Sequence, residues 1–87
     1  MYSVVMKRKV ARLAAKMPIQ ERRKFEILLQ SLKNSGPEQP TFSNYSKLSE
    51  NTYHCHLSYK WVACWKNENG SLIIEVYYAG SREKAPY

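Results

Sequence analysis

The stretch from Tyr53 to Tyr87 leaves this chain few choices. It reads Tyr53-His54-Cys55-His56-Leu57-Ser58-Tyr59-Lys60-Trp61-Val62-Ala63-Cys64-Trp65, then a polar break, then Ser71-Leu72-Ile73-Ile74-Glu75-Val76-Tyr77-Tyr78 and a tail ending in Tyr87. Aromatic and β-branched residues at this density suit strands on a half-buried pleated surface. Asn67-Glu68-Asn69-Gly70 supplies the reversal, because Asn and Gly tolerate the positive φ that a tight turn needs. Three antiparallel strands are expected, at about residues 52–58, 60–66 and 71–78. The tail, with Gly80, Arg82, Lys84 and Tyr87, should return toward them.

The upstream half reads as cover for one face of that sheet. Tyr2–Met6 is short, β-branched and apolar, and predicts a first strand that joins the later ones. Lys7–Met17 places Val10, Leu13, Ala14 and Met17 at i, i+3, i+4 and i+7, one apolar stripe on a helix. Pro18 closes it, since the residue before a proline avoids the helical region. A second helix over Ile19–Lys33 repeats the spacing with Phe25, Leu28, Leu29 and Leu32. It has Glu21 near its start and Lys33 near its end, as the helix dipole favours. Asn34-Ser35-Gly36-Pro37 is a stop signal. Residues 35–51 form a long loop that Tyr45 and Leu48 could anchor. The expected architecture is α+β: an N-terminal strand, a two-helix hairpin, then a three-stranded antiparallel sheet covered on one face by the helices.

Eighty-seven residues suffice for one modest core and too little for two, so a single domain over 1–87 is expected. The net charge of +7 is unevenly spread. Residues 1–33 hold nine basic side chains against two acidic, a surplus of seven, whereas residues 34–87 balance five against five. A basic patch of this kind points to a polyanion or an acidic protein partner; its alternative is a solvated helical surface. Cys55 and Cys64 make no disulfide framework and have no metal-ligand spacing, so they read as small packed thiols. No apolar run reaches membrane-span length, and Tyr2–Met6 is too short for the core of a secretory leader. A cytoplasmic protein without a membrane association or cofactor is expected.

Strand alternation puts Tyr53, Cys55 and Leu57 on one face and His54, His56 and Ser58 on the other. In the next strand it groups Trp61, Ala63 and Trp65 against Lys60, Val62 and Cys64. The apolar sets should meet the helices. The two imidazoles would then sit about 7 Å apart along the open face. They can be half-exposed residues without a role, or ligands of a metal that still needs a third donor, or an acid–base pair, because histidine titrates near neutral pH. Arg82 could stabilise charge on a phosphoryl group, and Tyr87 could stack on a base. Arg82-Glu83 could equally be a solvated ion pair.

Here the residues carry a resemblance. Asn44-Tyr45-Ser46-Lys47-Leu48, Tyr53-His54-Cys55-His56-Leu57, and the run from Glu75 through Gly80-Ser81-Arg82-Glu83 to Tyr87 resemble the RelE branch of the RelE/ParE toxin superfamily. The likeness spans nearly the whole chain and is most specific from Tyr53 onward. It implies a toxin of a type II toxin–antitoxin pair, a ribosome-dependent endoribonuclease that cleaves mRNA without metal by 2′-hydroxyl attack. It also implies a small acidic antitoxin as partner, in a hetero-oligomer.

Carried over by position, the family's two active-site lysines fall on His54 and His56. Its arginine after glycine falls on Arg82, and its terminal tyrosine on Tyr87, one residue early. A further basic residue of the family's middle strand falls on Val62, and Lys60, two residues earlier, could replace it. The resemblance thus implies catalysis by His54, His56, Arg82 and Tyr87. RNA would be held by Lys60 and Lys84, with Arg8, Lys9, Arg12, Lys16, Arg22 and Arg23 supplying a basic surface for ribosomal RNA. The ParE branch of the same superfamily poisons DNA gyrase, so a gyrase inhibitor and an inactive binding protein are the competing readings.

Overall fold

In the computed structural model, which describes Met1–Tyr87, β1 (Ser3–Val5) leads into α1 (Arg8–Ala15) and α2 (Ile19–Ser35). Then come β2 (Ser46–Lys47), β3 (Thr52–Ser58), β4 (Trp61–Lys66) and β5 (Ile73–Ser81), and a 3-10 turn over Arg82–Lys84. The strands form one sheet in the order β1-β5-β4-β3-β2. Its β3-β4-β5 centre is antiparallel, as expected, and β1 adds to β5 in parallel, with Val4 opposite Ile74.

The sheet therefore has five strands rather than a first strand and three more. The fifth, β2, lies inside the long loop and pairs Ser46 with His54 and Lys47 with Tyr53. Two residues carry no periodicity, so only the tertiary context reveals it. Tyr45 does anchor this loop: its ring stacks on Tyr53 and on Trp65, with centroids 6.4 and 6.3 Å away. The Trp65 indole N–H donates to the Pro37 carbonyl at 2.8 Å, which ties down the start of the loop.

Both helices lie on one face. Val10 and Ala14 of α1, Met17 of the linker, and Phe25, Leu28 and Leu32 of α2 share a core with Tyr53, Cys55, Leu57, Ala63, Trp65, Ile74, Val76 and Ala79. The helical stripes match their spacing except at Leu13, which is exposed because α1 is only two turns long and meets the sheet through Val10 and Ala14. Helix α2 stops at Gly36, whose N–H donates to the Leu32 carbonyl.

Two bulges re-aim the strands. One doubles Leu57 and Ser58 against β4, so that Ser58 falls opposite Trp61. The other sets Cys64 opposite Tyr78 and Trp65 opposite Val76, leaving Tyr77 extra. Because of it, Ile74 and Val76 point inward before the bulge and Ala79 after it. Strand β4 starts at Trp61, one residue later than expected. Lys60 sits with Tyr59 in the turn between β3 and β4, so it does not share a strand direction with Val62.

Candidate active site

The face away from the helices carries His54, His56, Val62, Cys64, Tyr78 and Gly80, set across from one another by the strand register. It is less open than the alternation implies. Val62 and Cys64 have no solvent exposure and His54 has 8%. The chain beyond β5 folds back here. The Tyr87 ring lies 4.5 Å from the His54 ring, centroid to centroid, and the His54 and His56 rings meet edge-on at 5.6 Å. Gly80 permits a close crossing: a β-carbon there would come within 3.0 Å of the Tyr78 hydroxyl, which donates to the Ser81 carbonyl at 2.6 Å.

The two histidines are not equivalent. His54 is enclosed between Tyr87, His56 and β2, and its Nδ1 lies 3.0 Å from the Ser46 hydroxyl. Burial pulls its pKa below the ordinary histidine value, and the neighbouring His56 pulls it further. His56 is half-buried and opens into solvent beside the 41–44 segment, with its backbone N–H donating to the Ser43 carbonyl at 2.8 Å. Its pKa also falls, through burial first and the positive charge of Arg82 second. Both imidazoles are thereby biased toward the neutral form that can accept a proton. Tyr87 moves the other way: burial raises its pKa and keeps the phenol protonated.

Arg82 begins the 3-10 turn. Its backbone N–H donates to the Lys60 carbonyl at 2.7 Å, which fixes the turn against the β3–β4 connection. Its guanidinium carbon lies 4.9 Å from the centroid of the Tyr59 ring, an attraction between cation and aromatic face. Arg82 and His56 border the same hollow. Lys60 lines a second hollow on the other side of Arg82, while Lys84 is exposed and borders neither.

The structure thus brings His54, His56, Arg82 and Tyr87 together, with Lys60 adjoining. It sets Arg8, Lys9, Arg12, Lys16, Arg22 and Arg23 apart, on solvent-facing sides of the helical segments. Lys9 instead borders a hollow shared with Lys7, Lys66 and Tyr77. Three residues near the histidines escape a reading of the sequence. Ser46 reaches His54 only through the two-residue strand, Tyr59 is a turn residue, and Lys24 follows Arg22 and Arg23 with nothing in the run to single it out. No group of three or more His, Cys, Asp or Glu side chains is placed to hold a metal ion. No helix is long and apolar enough to cross a membrane.

No protein-family model and no curated protein matches this sequence. Solved structures do. A chain of the archaeal RelE–RelB complex from Pyrococcus horikoshii superposes with a TM-score of 0.74 over 97% of this chain and 98% of its own, at 15% identity. The isolated E. coli RelE toxin gives 0.73 over 99% of this chain and 89% of its own, at 13% identity. This chain has the RelE fold. A chain of the E. coli DinJ–YafQ toxin–antitoxin complex shares it, with a TM-score of 0.71 over 94% of this chain and 93% of that one, at 16% identity. In this example of the RelE fold, the sheet face turned from the helices carries imidazoles, a phenol and a guanidinium.

Proposed function

We propose that this protein is a toxin of a toxin–antitoxin pair and acts as a metal-independent endoribonuclease on ribosome-bound mRNA in the cytoplasm. The observation that carries the reading is the cluster of His54, His56, Arg82 and Tyr87 on the face of a RelE fold turned from the helices, with two imidazoles held toward neutrality near the Arg82 cation. Its chemistry fits phosphodiester cleavage. The neutral His56 ring takes the proton of a ribose 2′-hydroxyl. The 2′ oxygen bonds to phosphorus and the bond to the 5′ oxygen breaks. Arg82 neutralises the charge that builds on the phosphoryl oxygens. The Tyr87 phenol gives its proton to the departing 5′ oxygen, leaving a 2′,3′-cyclic phosphate and a 5′-hydroxyl. Protons exchanged with solvent then restore His56 and Tyr87. His54, packed on the Tyr87 ring and bonded to Ser46, positions that phenol.

The unbalanced charge of the first 33 residues suits an acidic antitoxin and ribosomal RNA, and Lys60 and Lys84 add to the field near the cleft. The test is induced expression in a bacterial host, followed by primer extension on one message with and without translation. Cuts confined to the translated message, and absent in Arg82→Ala, are expected. Growth arrest without cuts overturns the nuclease reading. One observation favours that second outcome, a non-nucleolytic toxin: Val62 is wholly buried, so the middle strand offers no cation to the open face.

A further inference from the structure

Lys24 of α2 and His56 of β3 wall the same two hollows, of about 240 and 390 Å³. The first runs from His56 toward Ile27 and Thr41. The second runs from His56 to Tyr59 and Arg82. Beyond Arg82 a third hollow, of about 500 Å³, continues between Tyr59, Lys60 and Trp61. Each shares side chains with the next, so together they make one open groove that crosses the sheet edge past His56. Its charge is one-sided. Lys24, Arg82 and Lys60 border it, and its one carboxylate, Glu83, stands at the far end. Tyr59 is 75% exposed within it, with the Arg82 guanidinium carbon 4.9 Å from the centre of its ring.

We infer that this groove is a track for single-stranded RNA in which Lys24 binds a backbone phosphate next to the one held by Arg82, and Tyr59 offers a platform for a base. The inference builds on the proposed nuclease reading and adds a contact from the helical layer, which the strands and tail do not supply. A phosphodiester chain matches what lines the groove. Successive phosphates need cations at intervals, which Lys24, Arg82 and Lys60 provide, and an exposed aromatic face between them suits an unpaired base. Other helical lysines lack this placement: Lys33, in the last turn of α2, lies exposed outside the groove.

The test uses the full chain and a fluorescent single-stranded RNA hexanucleotide, 2′-O-methylated so that it cannot be cut, titrated over a range of salt. Lys24→Ala should weaken binding about three- to tenfold, the loss expected for one charge-assisted contact at a partly exposed site. It should also flatten the slope of log K against log salt by about 0.7, the value for one phosphate of a single strand. Lys24→Arg should restore both, and Lys33→Ala should change neither. No binding by the unaltered chain, or equal losses for Lys24→Ala and Lys33→Ala, overturns the inference. So does an equal loss of affinity for an oligoglutamate peptide, which would make Lys24 part of a general acidic-partner surface. Cleavage is read separately on translating ribosomes. A chain that binds RNA through Lys24 but cuts nothing removes the nuclease and keeps the groove. A chain that cuts with KM unchanged in Lys24→Ala removes the groove and keeps the nuclease.

Discussion

At the centre of the sheet both faces exclude water, but they do so with different materials. Toward the helices, Tyr53, Cys55, Ala63, Trp65 and Val76 are sealed by aliphatic and aromatic side chains from α1 and α2, with Tyr45 of the loop stacked on Tyr53 and Trp65. On the other side, His54, Val62 and Cys64 are sealed by the returning tail, chiefly Tyr87, and by Tyr77 and Tyr78 of β5. One cover is two helices of apolar side chains; the other is a short turn and a few phenols. The same burial therefore does two things. Against the helices it stabilises the fold, and beneath the tail it sets protonation states. The buried thiols mark this well: burial pushes the pKa values of both Cys55 and Cys64 up to about 12, and at Cys64 the Tyr77 phenol pulls the other way.

The contrast breaks first where it is strongest. Trp65→Ala should cost about 3–5 kcal/mol in denaturant unfolding, because it leaves a large cavity and frees the Pro37 carbonyl. If the loss were under 1 kcal/mol, the helix-covered face would not be the stabilising one. Next comes Arg82→Ala. Cleavage should fall about 10²–10³-fold, as when a group that stabilises developing charge is removed, while the unfolding midpoint stays unchanged because Arg82 is exposed. Tyr87→Phe is a finer cut. It keeps the ring over His54 and removes only the phenol proton, so cleavage should drop about a hundredfold with the fold intact. Activity equal to the parent would pass the proton-donor role to His54.

The smallest effects are those of pH. Burial lowers both histidine pKa values below 6.5. With neutral His56 as the base of the proposed reaction, cleavage should be flat through neutral pH and decline only below about 6.5. Stability should follow the same sign. Between the folded and unfolded pKa values the unfolded chain binds more protons, so this contribution is complete above about pH 6.5 and fades as the pH falls toward the folded values. Titrating the His54 and His56 ring protons by NMR checks both. A His54 pKa at or above 6.5 would mean that the tail does not seal this face. Removal of Tyr87 by truncation should move it upward in the same experiment.

The helix-covered face was largely legible in the sequence, because its information is periodic. Phe25, Leu28 and Leu32 at helical spacing, and Tyr53, Cys55 and Leu57 at strand spacing, each name their own neighbours. The other face was legible only by position. Alternation put His54 and His56 together, and the resemblance added Arg82 and Tyr87, but how the tail lies on the sheet is a tertiary fact. Without it, the burial of Val62 and Cys64 and the unequal histidines do not follow. Lys60 was misread because the turn to β4 uses Tyr59 and Lys60, so its strand starts at Trp61. Lys24 gave no signal, since three basic residues in a row look alike until α2 is laid across the sheet.

The bulge at Tyr77 has a consequence for how β5 can vary. The strand is read in two frames: up to Val76 the even positions face the helices, and after Tyr77 the odd ones do. Replacing Tyr77 leaves the frames intact. Losing Tyr77 itself would only close the bulge, because Val76 and Tyr78 already lie opposite the neighbours Trp65 and Cys64; losing one residue between Tyr78 and Ser81 would instead shift those after it to the other face and rotate Arg82 away from the groove. The turn that carries the guanidinium is thus aimed by a count of residues as much as by their kind, and beyond the bulge a change of length should be tolerated far less than a change of letter.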